Sequence, residues 1–160
     1  MNAGGLQVRA MLAVDLEPVL ALAEGLPEAP HWTEATWRAV LDPRCSPRRL
    51  ALVAAEPEAG TVLGFLVASL LPPQAELEAI AVAATAQRQG VGRRLFAVLA
   101  AELRSADAED VWLEVRASNL AAQSFYRSLG FAETGRRLGY YADPIEDAIL
   151  MGLSLAEMRK

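Results

Sequence analysis

The stretch Gln87-Arg88-Gln89-Gly90-Val91-Gly92-Arg93 decides how the rest of the chain is read. Ahead of it, Ala79-Ile80-Ala81-Val82 is an apolar run too short for a helix and suited to a buried strand. Behind it, Val91, Leu95, Val98, Leu99 and Leu103 recur at helical spacing, which predicts an amphipathic helix beginning at the glycines. A strand that turns through Gly-x-Gly into a helix leaves the first N–H groups of that helix unpaired. The positive end of the helix dipole lies at the same point. Glycine leaves the backbone free and its surface open to a phosphate. Arg88, Arg93 and Arg94 add positive charge, so the expected ligand is a pyrophosphate. Two familiar phosphate loops do not fit the residues that follow. A dinucleotide fingerprint needs a third glycine where Leu95 stands, and a P-loop needs Gly-Lys-Ser/Thr where Arg93-Arg94 stand.

Working outward, residues 6–11 read as a first strand. Asp15 is expected to cap a helix running to about Glu24, with Pro18 in its first turn and Gly25 at its end. A second short helix is expected over residues 33–41, behind Pro30-His31-Trp32. Residues 50–55 and 62–71 read as an antiparallel hairpin, and Pro72-Pro73 breaks the chain before a strand over 76–82. Residues 111–115 form a further apolar strand. Asn119 caps a helix that Gly130 closes, and residues 131–138 and 145–155 supply two last strands. The order β-α-α-β-β-β-α-β-α-β-β predicts an α/β fold: a mixed, mostly antiparallel sheet flanked by helices, in one domain over residues 1–160.

Composition narrows the function classes. The chain has 160 residues, 53% of them apolar, yet no run reaches the roughly 18–20 apolar residues that span a bilayer. Its start, Met1-Asn2-Ala3-Gly4-Gly5, shows no basic segment leading into an apolar one, so no signal peptide is expected. The lone Cys45 excludes an internal disulfide and fits a reducing compartment; a cytoplasmic location is expected. A net charge of −5 argues against general nucleic-acid binding and suits a basic peptide partner. No cluster of His or Cys suggests a metal site, and the single His31 has no nucleophile near it in sequence.

The second informative stretch is Trp112-Leu113-Glu114-Val115-Arg116-Ala117-Ser118-Asn119, followed by Ser124-Phe125-Tyr126-Arg127-Ser128-Leu129-Gly130-Phe131. Glu114 alternates with Leu113 and Val115, so its carboxylate stands on a solvated strand face or in a cleft. Tyr126 alone would read as a core aromatic. Together with Gln/Arg-x-x-Gly-x-Gly between strand and helix, these strings resemble the GNAT (Gcn5-related) N-acetyltransferases. Within them they look like the bacterial ribosomal-protein-alanine N-acetyltransferases of RimI type. The resemblance extends over Ile80-Ala81-Val82, Tyr140-Tyr141, Glu146-Asp147-Ala148-Ile149-Leu150-Met151 and Pro30-His31-Trp32-Thr33-Glu34. It implies a GNAT fold and acetyl-CoA, bound without metal by Ile80, Ala81, Val82, Gln87, Arg88, Gln89, Gly90, Val91, Gly92, Arg93 and Asn119. It also implies Glu114 as general base, Tyr126 as general acid, and Trp32, Tyr140 and Tyr141 as a peptide-binding wall. The acceptor it implies is a protein N-terminus, that of a basic ribosomal protein, met by a monomer or weak dimer. Three departures bear on the acceptor side. Ala83-Ala84 replace the usual Asp-Pro, the segment between Tyr141 and Glu146 is shorter than in relatives, and the first seventy residues match loosely.

The chemistry suits these residue types. A peptide α-amine with a pKa near 8 is about one-tenth neutral at pH 7, a deficit of about 1.4 kcal/mol, whereas a lysine starts about 4–5 kcal/mol short. A carboxylate acting directly or through water can make up the smaller deficit, and a phenol can protonate the departing thiolate. Backbone donors on the strand carrying Ala81 and Val82 would meet the oxyanion. Glu76 is a second candidate base, six residues before Val82, where histone-type GNAT enzymes carry theirs. Acetylation of a small amine and non-catalytic acyl-CoA binding are the alternative functions.

Overall fold

The computed structural model of the protein describes residues 5–156. The sequence expectation for residues 1–4, no leader, lies outside them. Among the described residues, seven strands join in one sheet: β1 (Gln7–Ala10), β2 (Arg48–Ala55), β3 (Val62–Leu71), β4 (Gln74–Val82), β5 (Asp110–Arg116), β6 (Ala132–Tyr141) and β7 (Glu146–Ser154). Their spatial order is β1-β2-β3-β4-β5-β7-β6, and every neighbouring pair is antiparallel except β4–β5. Four α-helices cover the two faces: α1 (Leu16–Glu24), α2 (Glu34–Val40), α3 (Val91–Ser105) and α4 (Leu120–Leu129). No helix among the described residues is long and apolar enough to cross a membrane.

Each face has its own core. On one side α3 buries Val91, Leu95, Phe96, Leu99 and Leu103 against Leu52, Leu66, Leu77, Val111, Leu113 and Ile149 of the sheet. Leu95, Leu99 and Leu103 are fully shielded and contribute about 1.5–3 kcal/mol each. On the other side α1 and α2 bury Leu16, Val19, Trp37 and Val40 against Val53, Phe65, Val67, Ala79 and Ala81. Trp37 meets Phe65 edge-on at 5.2 Å between ring centroids.

Strand β4 contributes to both cores because it changes phase. Ala75 and Leu77 belong to the α3 side, but Ala79 and Ala81 belong to the α1–α2 side. The ladder with β3 shows why. Val67 pairs with Ala79 and Ala68 with Leu77, leaving Glu78 as an extra residue in a β-bulge.

Several local expectations are refined. Asp15 makes no capping bond to α1. It ends a short 3₁₀ turn (Ala13–Asp15), and its carboxylate accepts the Leu12 N–H at 2.7 Å and the Arg9 guanidinium at 2.7 and 3.0 Å. Gly25 ends α1 with φ −79°, without a left-handed residue. Pro72-Pro73 forms a two-residue turn between paired Leu71 and Gln74, so β4 starts two residues earlier than the alternation suggested. Strand β6 extends to Tyr141, which places Tyr140 and Tyr141 at a strand end.

Candidate active site

The site grows from the one parallel strand pair. Strands β4 and β5 pair only over Gln74–Asp110, Ala75–Val111 and Glu76–Trp112; beyond Glu76 they diverge. Strand β5 continues with β7 alone through Arg116, and β4 continues with β3 alone through Val82. The Ala83 N–H donates to the Leu63 carbonyl, which fixes the phase of the β3–β4 ladder. Counting back along an antiparallel ladder, Ala81 turns its N–H to β3, while Ile80 and Val82 turn theirs into the gap facing β5. Of the three strand residues expected to bind the coenzyme, Ile80 and Val82 thus turn their amides to the gap and Ala81 does not.

At the end of β4 the chain passes through residues 83–90 into α3. Gly90 is left-handed, φ +83°, and so is Arg88, φ +63°. The first helical bond runs from the Arg94 N–H to the Gly90 carbonyl at 3.0 Å. Among the described residues no acceptor takes the N–H groups of Val91, Gly92 and Arg93. A side chain at Gly90 would meet nothing within 4 Å, so the approach to these amides is open, and the group fits a pyrophosphate. Gly92 is small for a different reason: a Cβ there would lie 3.0 Å from the ring of Phe125 on α4. The loop's glutamines brace it. Gln87 Nε2 donates to the Val82 carbonyl at 3.0 Å and Gln89 Nε2 to the Thr85 carbonyl at 3.3 Å. Arg93 reaches across to the end of α4, where it donates to Ser128 Oγ at 2.9 Å. Arg88 is exposed and, among the described residues, enters no hydrogen bond or ion pair, so it is the loop cation left for a ligand.

Side chains on the two faces of β5 meet this gap from opposite sides. Val111, Leu113 and Val115 point into the α3-side core, so Glu114 and Arg116 point to the other face. The Glu114 side chain is only 12% exposed. Its Oε1 lies 3.9 Å from Arg137 Nη2, and its Oε2 is buried with no hydrogen-bond partner among the described residues. Tyr126, on α4, packs from the α3 side against Phe131 and Phe125, with centroids 5.9 and 5.6 Å away. Burial, and then the proximity of Tyr141, push its phenol up to about 12. Burial and the carboxylates of Glu78 and Glu114 also raise the Glu76 carboxyl above its usual value. Glu78 itself is held in a two-point pair with Arg49, at 2.8 and 3.2 Å.

Tyr140 and Tyr141 stand beside Glu114. Their rings meet edge-on at 5.2 Å. Arg137 links Glu114 to the Tyr140 face at 5.4 Å, and Arg116 lies 4.3 Å over the Tyr141 ring. Trp32 has Trp37 as its ring partner, at 4.8 Å, and packs on the α1–α2 core. Asn119 is the N-cap of α4, accepting the Ala122 N–H at 3.1 Å, and its amide donates to Glu28 at 3.1 Å. That bond ties the loop carrying Trp32 to the corner after β5. Arg116, Arg137 and the bonds from Arg116 and the Ser118 N–H to Glu146 were missed in the sequence. Simple alternation back from Tyr141 points to Arg137, but the β6–β7 register shifts between the two. Among the described residues no group of three or more His, Cys, Asp or Glu is placed to hold a metal ion.

Comparison with known proteins agrees with this geometry. Residues 15–131 match the Acetyltransferase (GNAT) family. The chain is 43% identical over 99 residues to the [ribosomal protein bS18]-alanine N-acetyltransferase of Escherichia coli strain K12, spanning 61% of this chain and 67% of that one. The crystal structure of the ribosomal-protein-S18-alanine N-acetyltransferase from Escherichia coli superposes with a TM-score of 0.81 at 34% identity, over 94% of each chain. Chaetomium thermophilum Naa20, in complex with a bisubstrate analogue, gives a TM-score of 0.81 at 28% identity, over 96% of this chain and 88% of that one.

Proposed function

The chain belongs to the GNAT acetyltransferase family, and on that premise we propose that it transfers the acetyl group of acetyl-CoA to the N-terminal α-amine of a protein. The acceptor we favour is the N-terminal alanine of a small-subunit ribosomal protein, by analogy with the enzymes it resembles. One observation carries the reading. Glu114 and Tyr126 lie on opposite faces of β5, where β4 and β5 part beyond Glu76 and the sheet opens between its two faces.

Acetyl-CoA supplies an acetyl thioester; the chain supplies everything else. The amides of Val91, Gly92 and Arg93, with Arg88, hold the pyrophosphate. Negative charge developing on the carbonyl oxygen is met by the N–H groups of Ile80 and Val82 in the gap. On the α1–α2 face, the unpartnered Glu114 Oε2 takes a proton from the α-amine as it attacks. On the α3 face, Tyr126 gives its proton to the departing sulfur. With its phenol at about 12, Tyr126 stays protonated at neutral pH and is ready to act. Glu76 points to the same face as Glu114 and, among the described residues, forms no ion pair, although Arg49 and Arg137 lie near enough to act on it. It is the second candidate for the base.

The test is mass spectrometry of an acceptor panel with acetyl-CoA: a free Ala-peptide, the same peptide N-blocked with a free Lys, and small amines. The free Ala-peptide should react fastest. Equal rates for the N-blocked Lys peptide would overturn the α-amine reading, and turnover of a small amine alone would replace it.

A further inference from the structure

The corner between β5 and α4, residues 116–119, is where the acceptor-side walls are fastened. From α4, the buried Gln123 donates to the carbonyls of Arg116 and Ala117 at 3.1 and 2.9 Å. From the α1–α2 loop, Glu28 accepts from Asn119. From the β6–β7 hairpin, Glu146 Oε2 accepts the Ser118 N–H at 2.7 Å, while its Oε1 pairs with Arg116 Nη1 at 3.2 Å. The next residue, Asp147, joins the hairpin's two arms to the corner. Its carbonyl accepts the Ala117 N–H at 3.0 Å and its Oδ1 accepts the Gly139 N–H at 2.9 Å. Glu146 is the cross-strand partner of Tyr141. The guanidinium that Glu146 holds stands over the Tyr141 ring, 4.3 Å from its centroid.

We propose that Arg116, oriented by Glu146, is a positioning residue that fixes the Tyr141 ring over the acceptor entrance and so sets how a peptide α-amine meets Glu114. The proposal rests on the α-amine reading above. Arginine suits this task and lysine does not. A planar guanidinium can pair with a carboxylate along its edge and stack on an aromatic face at the same time. Without the guanidinium, Tyr141 keeps its edge contact with Tyr140 and its place at the end of β6, where the register is already irregular between Arg137 and Tyr141. The neighbouring Leu138 and Ile145 are exposed and offer it no buried support. Among the described residues the Arg116 side chain contacts Glu146 and Tyr141 and neither the phosphate loop nor β4, so its effect should fall on the acceptor alone.

The experiment is a double-mutant cycle with Arg116→Lys, Tyr141→Leu and the double variant. It is read by acceptor KM and kcat on a free Ala-peptide, with CoA affinity by calorimetry and thermal melting alongside. Arg116→Lys should lower kcat/KM by about tenfold, mainly through acceptor KM, and leave CoA affinity unchanged. The double variant should be no worse than Tyr141→Leu alone, because the lysine removes only what the ring was receiving. Losses that multiply, or wild-type kinetics for Arg116→Lys, would overturn the proposal. A parallel fall in CoA affinity and melting temperature would also overturn it, making Arg116 a stability residue. If the wild type turns over only a small amine, the α-amine reading fails instead. The cycle is then run on that amine with the same criteria.

Discussion

Gly90 separates backbone strain from charge in the phosphate loop. Its φ of +83° is a conformation that a residue with a Cβ adopts at a cost of about 1–2 kcal/mol. Nothing in the protein lies within 4 Å of the position a Cβ would take, so no clash adds to that cost. Gly90→Ala and Gly90→Asp should therefore lower stability by similar amounts. In a chain of this size that is a fall in melting temperature of roughly 3–8 °C. Their ligand affinities should differ far more. Two unit charges 4 Å apart repel by about 1 kcal/mol in bulk water and about 4 kcal/mol at an effective dielectric of 20. An aspartate beside a pyrophosphate should thus weaken binding by about 3 kcal/mol relative to alanine, roughly 10²-fold. Calorimetry with CoA at low and high salt measures both variants, and the gap should narrow as salt screens it. Affinities for Gly90→Asp and Gly90→Ala within threefold of each other at low salt would refute the placing of the pyrophosphate at this helix terminus.

Tyr126→Phe keeps the ring packed and removes the proton donor, so CoA binding should persist while kcat falls roughly 10²-fold; unchanged turnover would leave Tyr126 as packing only. Because its phenol is pushed up to about 12, wild-type kcat/KM should rise through a midpoint near pH 8 as the α-amine deprotonates and level off above about pH 9, with no descending limb below about pH 10. A limb near pH 9 that vanishes in Tyr126→Phe would contradict this. Glu114→Gln should be slowest at neutral pH and recover in part toward pH 9; a profile parallel to wild type, with Glu76→Gln inactive, would move the base to Glu76. Asp15, held below the usual carboxylate range first by Arg9 and also by the Leu12 N–H, stabilises the fold only while ionised. That contribution is complete above about pH 4 and is lost as the pH falls through the lowered value, so melting of Asp15→Asn and wild type should converge in acid.

The parts of the site legible in the sequence are those in which a local pattern carries the physics. The α3 terminus could be read because Gly-x-Gly adjoins a helical repeat. The closing of α4 could be read because Asn119 and Gly130 bracket ten residues, and Gly130 is indeed left-handed at φ +110°. What was hidden depends on partners far along the chain. Gly92 was read as making room for phosphate, yet the ring of Phe125, 33 residues on, gives it a second reason to be small. Trp32 was read as a wall for the acceptor; that its ring also packs on Trp37 was not legible. Asp15 precedes a helix as a cap would, but its carboxylate is taken by the Leu12 N–H and by Arg9, which the fold brings beside it.

The bulge at Glu78 was invisible for a different reason. Ala75, Leu77, Ala79 and Ala81 alternate without a fault, which is what one unbroken strand face looks like. The contrary sign is on the other phase, where Glu76 and Glu78 give way to Ile80 and Val82. From residue 79 onward both phases are apolar, as expected where a strand exchanges the face it turns to each core. One extra residue reverses every later side chain and every later N–H together. It moves Ala79 and Ala81 onto the α1–α2 core and swings the amides of Ile80 and Val82 away from β3. Had β5 stayed in register beyond Trp112, those amides would have been consumed in the parallel ladder. Because the strands part at Glu76, two residues before the bulge, they are left pointing into the gap between Glu114 and Tyr126. On the proposed mechanism the strand irregularity and the opening between β4 and β5 therefore act together, the one aiming the amides and the other leaving them unpaired.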